Sequence, residues 1–286
     1  AAVAEGWRLQ DFGPERRELI LGNESWPFPV PLVKTAAGWC FDAAAGREEV
    51  LNRRIGRNEL GAIDVALSYV KAQNEYAALD PDRDGVRDYA QRIGSTPGKR
   101  DGLYWPTAQG EQASPLGPLV AAAAADGRSA PGTYHGYHYR ILNAQGPAAD
   151  GGARSYLDGR RMTGGFALVA WPAEYRKTGV MTFIVSQQGV VYQRDLGPDT
   201  ARRAKGIVAF DPVPGWTRTS EQWVADTVNV AAMVPAPRVS TEVRYGSAQR
   251  CVRVGQRTKT FRTSVRTRAF SKARTALPVK RSGGEV

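Results

Sequence analysis

Eighteen prolines punctuate this chain, and none of them falls between Gly46 and Leu79. Proline lacks an amide hydrogen and clashes with the preceding turn, so a long proline-free stretch is where a helix can run uninterrupted. Ile55, Ile63, Leu67 and Val70 recur there near helical spacing, and Glu48 and Glu49 stand early, where the helix dipole favours acids. One long helix is therefore predicted from Gly46 to about Leu79. Gly56 and Gly61 each cost about 1 kcal/mol against alanine inside a helix. A kink or a close packing contact is expected near them.

The sequence on either side cannot continue such a helix. Trp26-Pro-Phe-Pro-Val-Pro-Leu-Val-Lys34 sets prolines at alternating positions, which forces an extended, donor-poor backbone suited to a sheet edge or a surface groove. Arg17 to Gly22 and Gly38 to Asp42 read as short strands, the second of them buried. Ala1 to Asn23 carries too little apolar content to stand alone. Residues 1–45 are thus expected to be the remnant of a preceding region joined to the proline-rich edge segment. A chain that opens on alanine is expected to be a processed form or a fragment, with a removed export signal as one route to it.

After Asp101 the texture changes to short β-type runs set off by Gly, Pro and Asn. Tyr134 to Leu142, Gly165 to Trp171, Val180 to Val185 and Val190 to Arg194 are the candidates, the last two joined through Ser186-Gln-Gln-Gly189 as a hairpin. One long helix followed by such strands gives an α+β fold class, with the helix packed on one face of an antiparallel β-meander and a core domain over 46–216. Beyond Trp216 the alternation is lost. Arg218 to Val286 holds fourteen basic and four acidic residues, so it carries +10 of the formal +11 and leaves the rest of the chain near neutral. A disordered basic tail is expected over 217–286. Its charge is scattered without interleaved aromatics, the weak form of a nucleic-acid signature. Nucleic-acid binding through the tail stays as an alternative, and no nucleic-acid partner is expected for the core.

Two cysteines, Cys40 and Cys251, give neither a framework of disulfides nor the spacing of a zinc site. No apolar run approaches the roughly 20 residues that span a bilayer.

The sharpest local pattern is Asp80-Pro-Asp82-Arg-Asp84-Gly-Val-Arg-Asp88. Carboxylates at alternate positions followed by glycine are how calcium loops surround a hard cation, so Asp80, Asp82, Asp84 and Asp88 are candidate ligands. The match is partial, with Gln91 at the twelfth position where a bidentate Glu belongs, and the other reading is a solvated turn closing the helix. His135 and His138 lie three apart on a predicted strand, whose period of two sends them to opposite faces and keeps them from sharing a metal. Cys40, between Trp39 and Phe41, reads as core rather than nucleophile. Gly94-Ser-Thr-Pro-Gly-Lys99 has the wrong spacing for a phosphate loop. Glu48, Glu49, Glu59, Asp64 and Glu75 read as a solvated helix face paired with Arg53, Arg54 and Arg57, and no catalytic residue is assigned. Tyr104-Trp105, Trp171-Pro172 and Tyr175 could line a groove, with core or rim packing the commoner use.

Several long motifs stand in order along the chain: Trp26 to Lys34, Gly46 to Leu60, Ser95-Thr-Pro-Gly-Lys99, Asp101-Gly-Leu-Tyr-Trp105, Ser114-Pro-Leu-Gly-Pro-Leu119, Tyr134-His-Gly-Tyr137, Gly164 to Pro172 and Asp195-Leu-Gly-Pro-Asp199. Together they closely resemble the bacterial DUF2950 family over Trp26 to Trp216. The resemblance implies an exported protein, periplasmic or extracellular, and carries over no catalytic residue. A weaker resemblance, through Asn58 to Tyr76, the acidic loop and the Thr178 to Tyr192 hairpin, is to type IV pilin-like and pseudopilin globular domains. The expected function is a non-enzymatic binding module or an envelope, pilin-like structural module, with envelope proteins as partners. The alternative is an envelope hydrolase with a metal-assisted site drawn from Asp82, Asp84, His135 and His138.

Overall fold

The computed structural model describes residues 2–81, 83–108, 110–120 and 133–222; Asp82 and the basic stretch 223–286 lie outside the described residues. A single helical turn, α1 (Ala2–Glu5), leads into β1 (Trp7–Asp11), β2 (Arg16–Leu21), β3 (Trp26–Pro27), β4 (Leu32–Thr35) and β5 (Gly38–Phe41). These strands make one antiparallel sheet in the order β1-β2-β4-β5, with β3 also paired to β2. The prolines limit β3 to two residues, and regular pairing resumes at Leu32, where they end. The opening residues thus form a sheet with 26–41. Ile20, Leu21, Leu32 and Cys40 are buried in it, so Cys40 is core as its apolar neighbours predict.

The long helix, α2 (Ala43–Leu79), spans 37 residues. Asp42 starts it: its backbone is extended and its carboxylate accepts from the Ala44 and Ala45 amides at 3.1 Å each. The helix therefore begins ahead of Gly46, and Glu48 and Glu49 stand beyond its first turn. A capping carboxylate must sit on non-helical backbone, which Asp42 has. Glu49 instead pairs with Arg53 at 2.7 Å, as the solvated-face reading predicts. Burial then changes along the helix. Leu60 is 53% exposed, whereas Ala62, Ala66, Tyr69, Val70 and Ala72 are all but fully buried. The switch comes at Gly61, where a Cβ would fall 2.7 Å from the His135 ring; around Gly56 nothing lies within 4 Å.

After α2 the chain makes β6 (Tyr137–Leu142), then two small antiparallel ribbons, β7 (Ala144–Gln145) with β8 (Arg154–Ser155) and β9 (Leu157–Asp158) with β10 (Arg161–Met162). It returns through β11 (Ala167–Pro172), β12 (Met181–Ser186) and β13 (Val190–Asp195), the helix α3 (Thr200–Lys205), and β14 (Thr217–Gln222). The second sheet has the order β14-β13-β12-β11-β6, antiparallel throughout. Its strands β6, β11, β12 and β13 fall where the sequence places them. The Ser186 hairpin closes through the Gly189 amide, which donates to the Ser186 carbonyl at 2.9 Å with Gly189 in the left-handed region at φ 72°. Pairing also continues past Trp216, since Thr217 and Arg218 face Gln193 and Tyr192. The first residues of the expected tail are thus a sheet strand.

Alternation along β6 explains how the sheet is covered. Tyr137 turns toward α2, where Glu59 lies close, and its ring packs on Phe183 at 5.7 Å between centroids. Arg140 turns the other way, and its guanidinium donates to the Ala204, Lys205 and Ile207 carbonyls at the end of α3. With α2 over β11 to β13 and α3 also against β11, that central strand is buried along its whole length. The result is an α+β protein with the long helix on an antiparallel sheet.

The Gly61 contact sets one expectation. Gly61→Ala should lower stability by about 1–3 kcal/mol by driving a methyl into His135. Gly56→Ala, in open space on the same helix, should raise it by up to about 1 kcal/mol. Urea unfolding followed by circular dichroism measures both.

Candidate functional site

Gln73 is fully buried on α2, and a buried amide must satisfy both its oxygen and its nitrogen. Its Nε2 donates to the Ala90 carbonyl and its Oε1 accepts from the Ala90 amide, each at 2.8 Å. The side chain so takes the place of a neighbouring strand. The same Nε2 reaches the Tyr69 hydroxyl at 3.0 Å, and that hydroxyl donates to the Ala167 carbonyl of β11 at 3.1 Å. On the other side the Tyr89 amide donates to the Met162 carbonyl at 2.8 Å, and the Tyr89 ring stands edge-on to Phe166 with centroids 4.7 Å apart. Gln91 Nε2 donates to the Arg160 carbonyl at 2.7 Å. A segment with no strand pattern is thereby fixed between helix and sheet.

The chain next folds back on itself. Leu103 and Tyr104 donate their amides to the Arg92 and Ile93 carbonyls at 3.1 and 2.8 Å, which leaves 96–101 as a projecting turn. Asp101 locks that turn, its two oxygens accepting from the Thr96 amide and hydroxyl at 2.7 Å each. These hydrogen bonds hold the Asp101 carboxyl below the ordinary carboxylate range. Arg92 Nη1 donates to the Thr96 hydroxyl at 2.9 Å, and the Tyr76 hydroxyl donates to the Arg100 carbonyl at 3.0 Å. Between helix end, floor and turn lies an open groove of about 570 Å³, lined by Tyr76, Asp88, Tyr89, Arg92, Lys99, Arg100 and Asp101. A smaller notch of about 250 Å³ beyond Gln91 is bounded by Arg140, Asn143 and Met162.

The acidic loop forms one rim of this groove, through Pro81 and Asp88. Asp80 ends α2 in the left-handed region, its two oxygens accepting from the Asp84 amide at 3.3 Å and the Gly85 amide at 2.9 Å. Asp84 accepts from the Val86 amide at 2.9 Å and from Arg161. All four of those oxygens therefore face N–H donors. Each carboxylate oxygen has a further lone pair, so a calcium ion held by Asp80 and Asp84 would share these oxygens with the N–H donors. Among the described residues no group of three or more His, Cys, Asp or Glu side chains is gathered as a metal site, and Asp82 lies outside the described residues.

The two histidines lie apart, but only His138 stands on the strand. His135 sits in the turn before β6 at φ 49°, against Gly61 of α2 and 4.1 Å from the Tyr134 ring. His138 faces Trp171 across the sheet at 5.5 Å, on the side that Arg140 shares. Glu59 departs from the solvated-face reading: its carboxylate accepts from the Val180 and Met181 amides at 2.8 and 3.0 Å and docks the helix on the start of β12. Trp105 and Trp171 are buried, 6% and 7% exposed, and Tyr175 donates to Asp195 at 3.1 Å on the surface. The groove aromatics are instead Tyr76 and Tyr89.

Burial, the largest influence, pushes the phenols of Tyr69, Tyr137 and Tyr139 well above their ordinary range, and that of Tyr156 up to about 12. They stay protonated, and three of them donate to the carbonyls of Ala167, Met181 and Tyr134. Their place is in the framework, as fixed donors.

An α+β protein with an open groove beside the end of its one long helix is the class that fold and site define. The chain belongs to the DUF2950 family, described as a protein of unknown function, whose model matches residues 1–219. That match takes in the opening sheet as well as the stretch from Trp26 to Trp216 that carries the motifs. No curated protein and no solved structure matches the chain. Among the described residues no helix is long and apolar enough to cross a membrane.

Two outcomes are expected. Gln73→Met keeps volume but strands the Ala90 amide and carbonyl, each costing about 1–3 kcal/mol, so denaturant titration should register a loss on the order of 2–5 kcal/mol. Asp101 has a folded pKa depressed below the ordinary 3.8, so its contribution is present above that value and lost as pH falls through the folded one. Asp101→Asn should therefore narrow its stability difference from wild type below about pH 4, read from melting temperatures against pH.

Proposed function

We propose that this protein is a non-enzymatic binding module of the bacterial envelope, with the groove over residues 88–101 as its ligand seat. One observation carries the reading: an open groove of about 570 Å³ presents two tyrosines and three cationic side chains above a floor held by buried hydrogen bonds. A seat fixed before the ligand arrives loses little entropy on binding, and its volume lies in the range of small-molecule sites. Placement outside the cytoplasm is part of the proposal and rests on the family resemblance. A pilin-like structural use of the same fold, with envelope proteins as partners, draws its support from α2 lying along β11 to β13. Calcium binding by the acidic loop, through Asp80, Asp82, Asp84 and Asp88, belongs with either form.

The metal-assisted hydrolase would need His135 and His138 to leave opposite sides of their sheet and join Asp84, which Arg161 already engages. Nucleic-acid binding would rest on the basic stretch, which lies outside the described residues from 223 onward. Incubating the purified chain with isolated envelope fractions separates the readings. Co-sedimentation without release of soluble products is expected. Stoichiometric zinc or manganese by elemental analysis, together with soluble product release, would overturn the binding-module reading.

A further inference from the structure

The cations of the groove are a local concentration rather than a by-product of a basic protein. Outside the tail the chain is close to neutral, yet Arg92, Lys99 and Arg100, within a single nine-residue stretch, converge on one groove. Two of the three are held in place. Arg92 is tied to the Thr96 hydroxyl at 2.9 Å, and the Arg100 guanidinium lies 5.5 Å over the Trp105 ring. Lys99 is exposed at the tip of the turn. Of the two carboxylates present, Asp101 directs both oxygens at Thr96, into its own turn. Asp88 lines the groove from the acidic loop.

Resting on the binding-module reading, we propose that the groove takes a small soluble ligand bearing a phosphate-type anion. The anion sits among Arg92, Lys99 and Arg100, and an attached flat apolar group lies along the half-buried Tyr89, beside the buried Tyr76. Guanidinium forks match the oxygens of a phosphate two at a time, and a held arginine loses less freedom per hydrogen bond than a free one. Three positive charges around one seat favour a dianion over a carboxylate. The tyrosine wall supplies the contact area that a bare inorganic ion would lack.

Phenyl phosphate is the probe, titrated into the full chain by calorimetry, with phenyl glucoside as its neutral counterpart. The affinity should exceed that for phenyl glucoside by at least about tenfold and fall as salt is raised, since charge attraction in a partly open groove is screened. Lys99→Glu should weaken phenyl phosphate by at least about tenfold, because it reverses a charge beside the anion. Lys34→Glu, on the other sheet, should leave it unchanged, and neither variant alters the tail, so binding there cannot mimic the result. Equal affinity in wild type and Lys99→Glu overturns the proposal. Phenyl glucoside binding as tightly as phenyl phosphate overturns the charge selection and leaves the binding-module reading standing. Release of phenol has the opposite effect, keeping the anion seat and removing the non-catalytic reading. Absence of binding by both probes removes the proposed seat for this ligand class.

Discussion

The pairing of the Gln73 amide with both backbone groups of Ala90 is the contact on which the rest of this architecture leans. It lies inside the protein, where an unmatched backbone group is costly, and it joins residues seventeen apart without a strand between them. Through Tyr69 the same amide is linked to β11, so helix, loop and sheet share one buried chain of hydrogen bonds. The groove floor at Tyr89 to Gln91 inherits its rigidity from that chain. Weakening it would loosen the lining and the fold together.

The second sheet explains why so much polarity can be kept inside. Its strand β11 is covered on both faces, and polar side chains on the elements around it find partners in exposed backbone ends. Arg140 closes the last turn of α3 with three carbonyls, and Glu59 receives the two amides that open β12. The buried phenols serve likewise as permanent donors. Ionisable residues of the interior are thus committed to joining elements.

Charge is divided in the same spirit. The high pI belongs to Arg218 onward, the acidic loop turns the oxygens of Asp80 and Asp84 onto N–H donors, and three cations of the 92–100 stretch line the groove. The acidic loop follows the end of α2 at Asp80 and forms one rim of the groove. Asp80 and Asp84 accept from amides of the loop itself, at Asp84, Gly85 and Val86.

What the sequence determined by itself was set by short-range rules. Freedom from proline drew the long helix, alternation broken by Gly and Pro drew β6, β11, β12 and β13, and ordered motifs carried the family. The strand period also set His135 and His138 apart, but His135 lies in the turn before β6, so the turn and not the period places it. Helix capping was within reach as well, since Asp42 is the acceptor just ahead of three alanines. The groove was not. Its residues come from the end of α2 and from a segment lacking periodicity, and what unites them is Gln73, a polar residue that reads as a surface position on any helix. Only the tertiary structure decided that this amide is buried, because burial depends on what the far sheet brings against the helix, and no local pattern encodes that distance.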